Sequence, residues 1–301
     1  MIKPKLETIF VPDANWYLHR AFNTLRSHRP PEEALPYHLL SMIMKDALAV
    51  KANYLLVPFD GPEVFRYKVY PQYKANRNDR KGEEPVDAEN GEPKADIYSY
   101  LPNVYELLHK LGIIYFQPKI YEADDVLCSV AFKYGGRFKV VGGTQDKDAY
   151  QWLTKYCRMY DASAKAPDGK SRPRYIDMAY AEKKKGVPVA QMVDYQTLIG
   201  DKIDNIPAIK GMGPVAAKKI LDQYGSILNW HKKSKADKEF IASEADNIRR
   251  NRKLVKLCED VLPPNDLSEW KMRKIHKPDK LLSKSFHEYI NWLYPKSKGL
   301  F

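Results

Sequence analysis

Four short apolar stretches punctuate the first half of the chain: TIFV (8–11), NYLLVPF (53–59), GIIYF (112–116) and FKVVG (138–142). Each is rich in β-branched or aromatic residues and too short for a helix. Between them the apolar spacing lengthens to the helical repeat, as over Leu39 to Val50 and Ile97 to Leu111. Strands alternating with helices predict an α/β fold, a mostly parallel sheet flanked by helices. From about residue 189 the alternation stops and helices dominate. There QMVDYQTLIGDKIDNIPAIKGMGPVAAKKILDQYG predicts helix, loop, tight turn and helix, with Pro214 at the first helical position and Gly225 just past the last. Segment 74–96, KANRNDRKGEEPVDAENGEPKAD, is highly charged and nearly free of large apolar residues, so it predicts an exposed loop or frayed helix. The chain therefore divides into an α/β region over 1–188 and a helical region over 189–301.

An acid stands shortly after each of these strands. TIFV leads to Asp13, NYLLVPF to Asp60, GIIYF to Glu122, Asp124 and Asp125, and FKVVG to Asp146 and Asp148. Open α/β sheets bind ligands at the carboxyl ends of their strands, so these acids are expected to converge. An acid in a helix's first turn gains about 0.3–1 kcal/mol, which explains one carboxylate of YEADDVLCSVA or two. Carboxylates about 5 Å apart repel by roughly 3 kcal/mol at an effective dielectric near 20. Something cationic has to offset that. The only Lys or Arg among the strand-end acids along the sequence is Lys147, so divalent metal is the expectation. Asp201 and Asp204 in GDKIDN add two acids, spaced to share one side of a helical turn, although alone they read better as a surface turn. Two ions about 3.5–4 Å apart are the standard clamp for phosphodiester cleavage.

Composition sets the partner. Lysine and arginine number 50 against 38 acids, a net charge of +12 over 301 residues. That excess suggests a polyanion such as nucleic acid, with a merely solubilising charge as the equal alternative. Cys128, Cys157 and Cys258 form neither a zinc motif nor a disulfide framework, which predicts a reducing cytoplasm. No stretch approaches the roughly 20 apolar residues of a membrane span. Gly211 and Gly213 let the main chain approach a ligand closely, the helix start beyond them can bind phosphate, and Lys218 and Lys219 lie one turn on. Alone, such a turn is weak evidence.

Five stretches, DANWYLHRAF (13–22), FDGPEVFRYKVYPQYKANR (59–77), YEADDVLCSVA (121–131), GTQDKDAYQWL (143–153) and GDKIDNIPAIKGMGPVAAKKIL (200–221), together resemble the flap endonucleases and 5′-nucleases. That family includes the 5′-nuclease domain of bacterial DNA polymerase I and small phage exonucleases. The resemblance implies a PIN-like fold, an arch over about 70–100 and a helix-hairpin-helix over about 191–225. It implies a first metal held by Asp13, Asp60, Glu122, Asp124 and Asp146, and a second held by Asp146, Asp148, Asp201 and Asp204, with Asp125 in support. The ions implied are two Mg²⁺, replaceable by Mn²⁺, with K⁺ at the hairpin by Gly211 and Gly213. Lys74 and Arg77 match basic residues at the base of the arch that offset charge on the scissile phosphate. Arg20, Arg66, Tyr73, Lys210, Lys218 and Lys219 complete the expected DNA contacts, with Arg20 and Arg66 matching basic positions that face phosphate or acid and reading alternatively as structural salt bridges.

The activity implied is a structure-specific 5′-nuclease, cutting DNA near 5′ ends, flaps or junctions to leave 5′-phosphate and 3′-hydroxyl, in replication, repair and RNA primer removal. A monomer, a replication polymerase as partner, and a free-standing enzyme of the phage type in the cytoplasm are the accompanying expectations. The alternatives are a PIN-like ribonuclease and a non-catalytic DNA-junction binder. Two features depart from the pattern: Ala14 stands where relatives often have glycine, and the arch is short and acidic at Glu83, Glu84, Asp87 and Glu89.

Overall fold

A computed structural model describes residues 6–25, 31–76, 97–165, 168–169 and 172–272. Most of the expected arch, with Arg77, and the tail from residue 273 lie outside the described residues.

Strand β1 (Thr8–Pro12) lies between β2 (Tyr54–Leu55) and β5 (Lys139–Gly143), parallel to both. Strand β6 (Cys157–Asp161) continues the sheet in parallel, and β7 (Arg174–Ile176) closes it antiparallel, giving the order β2-β1-β5-β6-β7. A second, two-stranded parallel sheet pairs β3 (Val57–Pro58) with β4 (Tyr115–Phe116). The stretch expected as one strand over 53–59 is thus split between two sheets. Leu56, between the pieces, donates its N–H to the Phe10 carbonyl (3.2 Å) before Val57 turns to Ile114 (3.0 Å). Strands β6 and β7 escaped the pattern reading, because CRMYD and RYI mix apolar with charged positions.

Both faces of the sheet are buried, and alternation sorts the strand residues between them. Ile9, Val11, Val140, Cys157 and Met159 join one apolar cluster, while Phe10, Val141 and Tyr160 join the other. The second face is covered by α1 (Ala14–Leu25), α2 (Pro31–Ala49) and α4 (Leu101–Lys110). The first is covered by α5 (Ala123–Tyr134) and the carboxyl-terminal helices α7 (Met192–Ile199), α8 (Pro214–Tyr224) and α9 (Ile227–Lys233). The short α3 (Phe65–Val69) and α10 (Lys238–Ser243) pack against α11 (Ala245–Val255), and α6 (Met178–Lys185) joins the first cluster through Ala181. The apolar cluster runs without a break from Val126 to Trp270, so the α/β and helical regions share one core. Among the described residues no helix is long and apolar enough to cross a membrane.

Candidate active site

Chain direction carries the acids to one edge. Asp13 comes directly after β1 and is pinned there by its own N–H donating to the Gly143 carbonyl at the end of β5 (3.0 Å). Gly143 permits this crossing, since a Cβ would meet Phe10 at 2.8 Å and the Tyr17 hydroxyl at 2.9 Å. Asp60 comes after β3 and is held on both sides: Asn15 donates to its carboxylate (2.9 Å), and Ala123 at the start of α5 does likewise (2.8 Å). Glu122 caps α5, and Asp124 and Asp125 occupy its first turn. Asp146 caps the 3-10 turn after β5, accepting from the Asp148 N–H (2.9 Å). Asp201 and Asp204 sit in a tight loop closed by the Asp201–Ile206 bridge, a β-turn arrangement rather than the expected helical turn.

The result is one cleft of about 420 Å³ lined by Asp13, Asp60, Glu122, Asp124, Asp146, Asp201 and Asp204. Asp148 stands beside it, its carboxylate facing Asp146, Asp204 and Asp201 and accepting a hydrogen bond from Gln196. Crowding shows in the protonation equilibria. Burial and the adjacent Asp60 push Asp13 up to about 7. Burial, then Asp146 and Asp13, raise Asp124 well above the carboxylate range, and burial with Asp146 does the same to Asp148.

Protein cations meet part of that charge, which is a correction to the metal-only expectation. Lys74 pairs with Glu122 and lies 4.0 Å from Asp204. The segment carrying it is clipped to the Asp201–Asp204 loop by three bonds: Lys74 N–H to the Asp204 carbonyl (2.9 Å), Asn76 to Lys202 (2.7 Å) and Asn205 to Gln72 (2.7 Å). Lys74 adopts a left-handed φ of 56°, a conformation costly for a side-chain-bearing residue and maintained only by such surroundings. Its distance along the chain from every strand end hid this cation from pattern reading.

Arg66 is the second cation, and it is not available to DNA. It is 1% exposed, and its guanidinium grips Asp125 with two bonds (2.7 and 2.8 Å), Glu122 (3.0 Å) and the Leu254 carbonyl (2.8 Å). Burial raises the Asp125 carboxyl, but the hydrogen bonds and charge of Arg66 outweigh it and hold the group below its usual range. Tyr73 is likewise no stacking platform: it is 3% exposed and its hydroxyl donates toward Glu122 (3.1 Å) and Asp204 (3.2 Å). Tyr73 was an expected DNA contact and Arg66 an expected contact to phosphate or acid; both face acids, Arg66 from within α3 and Tyr73 from the turn after it. Arg20 is half-buried against Trp16 and 3.9 Å from Asp46.

Among the described residues, no group of three or more His, Cys, Asp or Glu side chains is arranged, as it stands, to hold a metal ion. Glu122 is occupied by Lys74, Arg66 and Tyr73, which accounts for its part. The donor set nonetheless fits hard divalent ions: oxygen-only, crowded, and with the buried Asp124 Oδ1 lacking any hydrogen-bond partner. Further cleft residues escaped the sequence reading, among them His19 and Tyr98, joined side chain to side chain at 3.2 Å, and Ile203, which is 61% exposed. His19 is three residues from Trp16 on α1, a helical spacing that could have flagged it.

The glycine turn stands on α7 and α8. Gly211 has φ +71°, Gly213 caps α8, and a Cβ at either would meet nothing within 4 Å. Lys210, Lys218 and Lys219 are exposed around it, Lys218 pairing with Asp222 (2.9 Å). Asn251, fully buried on α11, anchors the hairpin by donating to the Thr197 (3.1 Å) and Pro207 (2.7 Å) carbonyls.

Comparison with known proteins gives a consistent result. Residues 8–186 match the family model of the 5′-3′ exonuclease, N-terminal resolvase-like domain, and residues 187–278 match the 5′-3′ exonuclease, C-terminal SAM fold. The chain is 31% identical over 281 residues to a 5′-3′ exonuclease of Aquifex aeolicus, covering 91% of this chain and 89% of that one. It is 32% identical over 225 residues to DNA polymerase I of Deinococcus radiodurans, covering 72% of this chain but only 20% of the polymerase. The flap endonuclease of bacteriophage T5, solved in a complex with DNA and metal ions, superposes with a TM-score of 0.66 at 21% identity, over 83% of this chain and 89% of that one.

Proposed function

The chain belongs to the 5′-3′ exonuclease family, and on that footing we propose that it is a structure-specific, divalent-metal-dependent 5′-nuclease acting on DNA near 5′ ends, flaps or junctions. The observation that carries the reading is the convergence of seven carboxylates from separate loops in one cleft beside Lys74. A protein that only bound a polyanion would gain nothing from so acidic a cleft. The glycine hairpin with its exposed lysines favours duplex DNA over the single-domain ribonuclease alternative, because it grips backbone without reading sequence.

In this reading Asp13, Asp60, Glu122, Asp124 and Asp146 hold one divalent ion, and Asp146, Asp148, Asp201 and Asp204 a second, with Mg²⁺ the expected metal and Mn²⁺ a substitute. When bound, the pair supplies Lewis acidity to the attacking water and the leaving oxygen. The chain's own residues do the positioning. Arg66 fixes Asp125 and Glu122 at the start of α5, Asn15 fixes Asp60, and Gln196 fixes Asp148. Lys74 is the cation placed to meet charge building on the scissile phosphate once Glu122 is engaged elsewhere. Gly211, Gly213, Lys210, Lys218 and Lys219 hold the duplex strand away from the cut, with K⁺ at the turn. Arg20 and Arg77 remain proposed phosphate contacts. Division of labour at about residues 188–189, monomeric action, polymerase partnership, RNA primer removal and a cytoplasmic setting belong to the same proposal.

The test is digestion of 5′-labelled flap, nicked and linear DNA with and without Mg²⁺, with sizing of the products. Cleavage stopped by EDTA and by Asp146→Asn, with binding of the flap retained, is the expected outcome. Failure to cut any of the three substrates refutes the proposal.

A further inference from the structure

A second concavity lies at the opposite end of the main sheet from the carboxylates. It has a volume of about 530 Å³, within the range of small-molecule sites. Strand β1 separates the two: Thr8 lines this concavity, while Asp13, five residues on and roughly 17 Å away along the strand, lines the cleft. Strand register builds its floor. Lys139 pairs with Thr8, Arg158 with Val141 and Tyr175 with Tyr160, which places Lys139, Arg158 and Tyr175 on the same sheet face. The end of α2 adds Lys51, and the turn before β6 adds Lys155 and Tyr156.

Four cations therefore surround one hollow, and among the described residues none of them forms an ion pair with an acid. Glu7, the one acid in the lining, accepts a hydrogen bond from the Tyr54 hydroxyl (2.9 Å). Like charges crowded around a concavity are stable at neutral pH when an anion offsets them, the same electrostatics that applies with opposite sign at the cleft. Lys51 has φ 57° at the carboxyl end of α2, a position where glycine is the unstrained choice. Met272 donates its N–H to the Asn53 carbonyl at the rim (2.8 Å).

We propose that this hollow is a second ligand site, separate from the catalytic cleft, for a nucleotide: the four cations take its phosphates and the Tyr156 and Tyr175 rings its base. Multiple cations with no ion-pair partner among the described residues select a ligand with more than one negative charge, aromatic walls, one of them the Tyr156 ring under the Lys155 ammonium at 4.9 Å, select a planar body, and the volume admits one nucleotide and excludes a duplex. The nucleotide is either free or the terminal unit of a single strand, and the experiment distinguishes these sources. The inference stands apart from the nuclease reading, because it uses no cleft residue.

Full-length protein in EDTA is titrated with a fluorescent nucleoside triphosphate, and the bound probe is competed with unlabelled dATP, a 5′-phosphorylated oligothymidine and an oligoglutamate peptide. Saturable binding is expected, weakened at least tenfold by Lys139→Glu/Arg158→Glu and unchanged by Asp146→Asn, while the double variant still cleaves flap DNA at the parent rate. Stronger competition by dATP than by the oligonucleotide assigns a free nucleotide, and the reverse assigns a strand end. Lys51→Gly supplies a variant that relieves backbone strain, so it folds at least as well as the parent and still binds the probe several-fold more weakly. Absence of saturable binding, retention of affinity in both variants, or equal displacement by oligoglutamate overturns the proposal.

Discussion

Replacing Arg66 by methionine separates two accounts of a basic residue beside the cleft. If Arg66 met DNA, its loss would weaken duplex binding and leave the fold untouched. The structure requires the opposite. The side chain spans the α/β layer and the helical region, with Asp125 and Glu122 on one side and the Leu254 and Lys256 carbonyls on the other, the last at 3.4 Å. Asp125 is 0% exposed, so Arg66→Met strands a buried carboxylate and three acceptors at once. Removing one partner of such a pair costs about 3–5 kcal/mol, a large share of the roughly 5–15 kcal/mol that holds a protein folded. The Cys258 and Glu122 N–H groups, which still donate to Asp125 at 2.9 and 3.0 Å, keep the loss from running higher. At about 2 °C per kcal/mol for a chain of this size, the midpoint of thermal unfolding should fall by roughly 6–10 °C. Arg66→Met/Asp125→Asn should recover most of that loss, since the stranded charge is gone, with a coupling energy of about 2–3 kcal/mol. Calorimetry on the four proteins measures it. An Arg66→Met protein that melts with the parent yet binds duplex DNA about tenfold more weakly would make Arg66 a DNA contact after all.

Lys74→Ala should slow cleavage by about 10²–10³-fold with little change in flap affinity. The same variant should bind Mn²⁺ more tightly in an EPR titration, because it frees Glu122; a raised KM with unchanged kcat would instead make Lys74 a positioning residue. Gly213→Ala should keep the parent's thermal midpoint, as φ is −87° and a Cβ meets nothing, yet lose about 1.5 kcal/mol, roughly tenfold, in duplex affinity by fluorescence anisotropy. Burial, assisted by Arg20, lowers His38 to about 4 from an ordinary 6.5, so the unfolded chain takes up the proton first as pH falls. Stability is therefore intact above about 6.5 and declines toward 4, by about 2 kcal/mol at pH 5, and denaturation of His38→Gln across this range should lack that slope.

Much of the site was legible in the order of residues, because a parallel sheet delivers every strand end to the same edge. TIFV, GIIYF and FKVVG became β1, β4 and β5, and Asp13, Glu122, Asp124 and Asp146 after them line one cleft with Asp60. Pro214 and Gly225 bounded α8 as helix-end chemistry requires. These are local properties, decided by periodicity, backbone preference and chain direction within a few residues. Beyond local reach was the question of which charges meet. Tyr73 looked like a surface contact for DNA, Arg66 like a contact to either phosphate or acid, and Lys74 looked remote from the strand ends, yet all three turn inward on Glu122. A charged side chain's partner is set by distances across the fold, such as the 188 residues between Arg66 and Leu254, and no spacing pattern records them. Residue order was enough to say where the acids gather. Naming the cations that answer them took the packed fold, because burial removes the water that would otherwise let each charge stand alone.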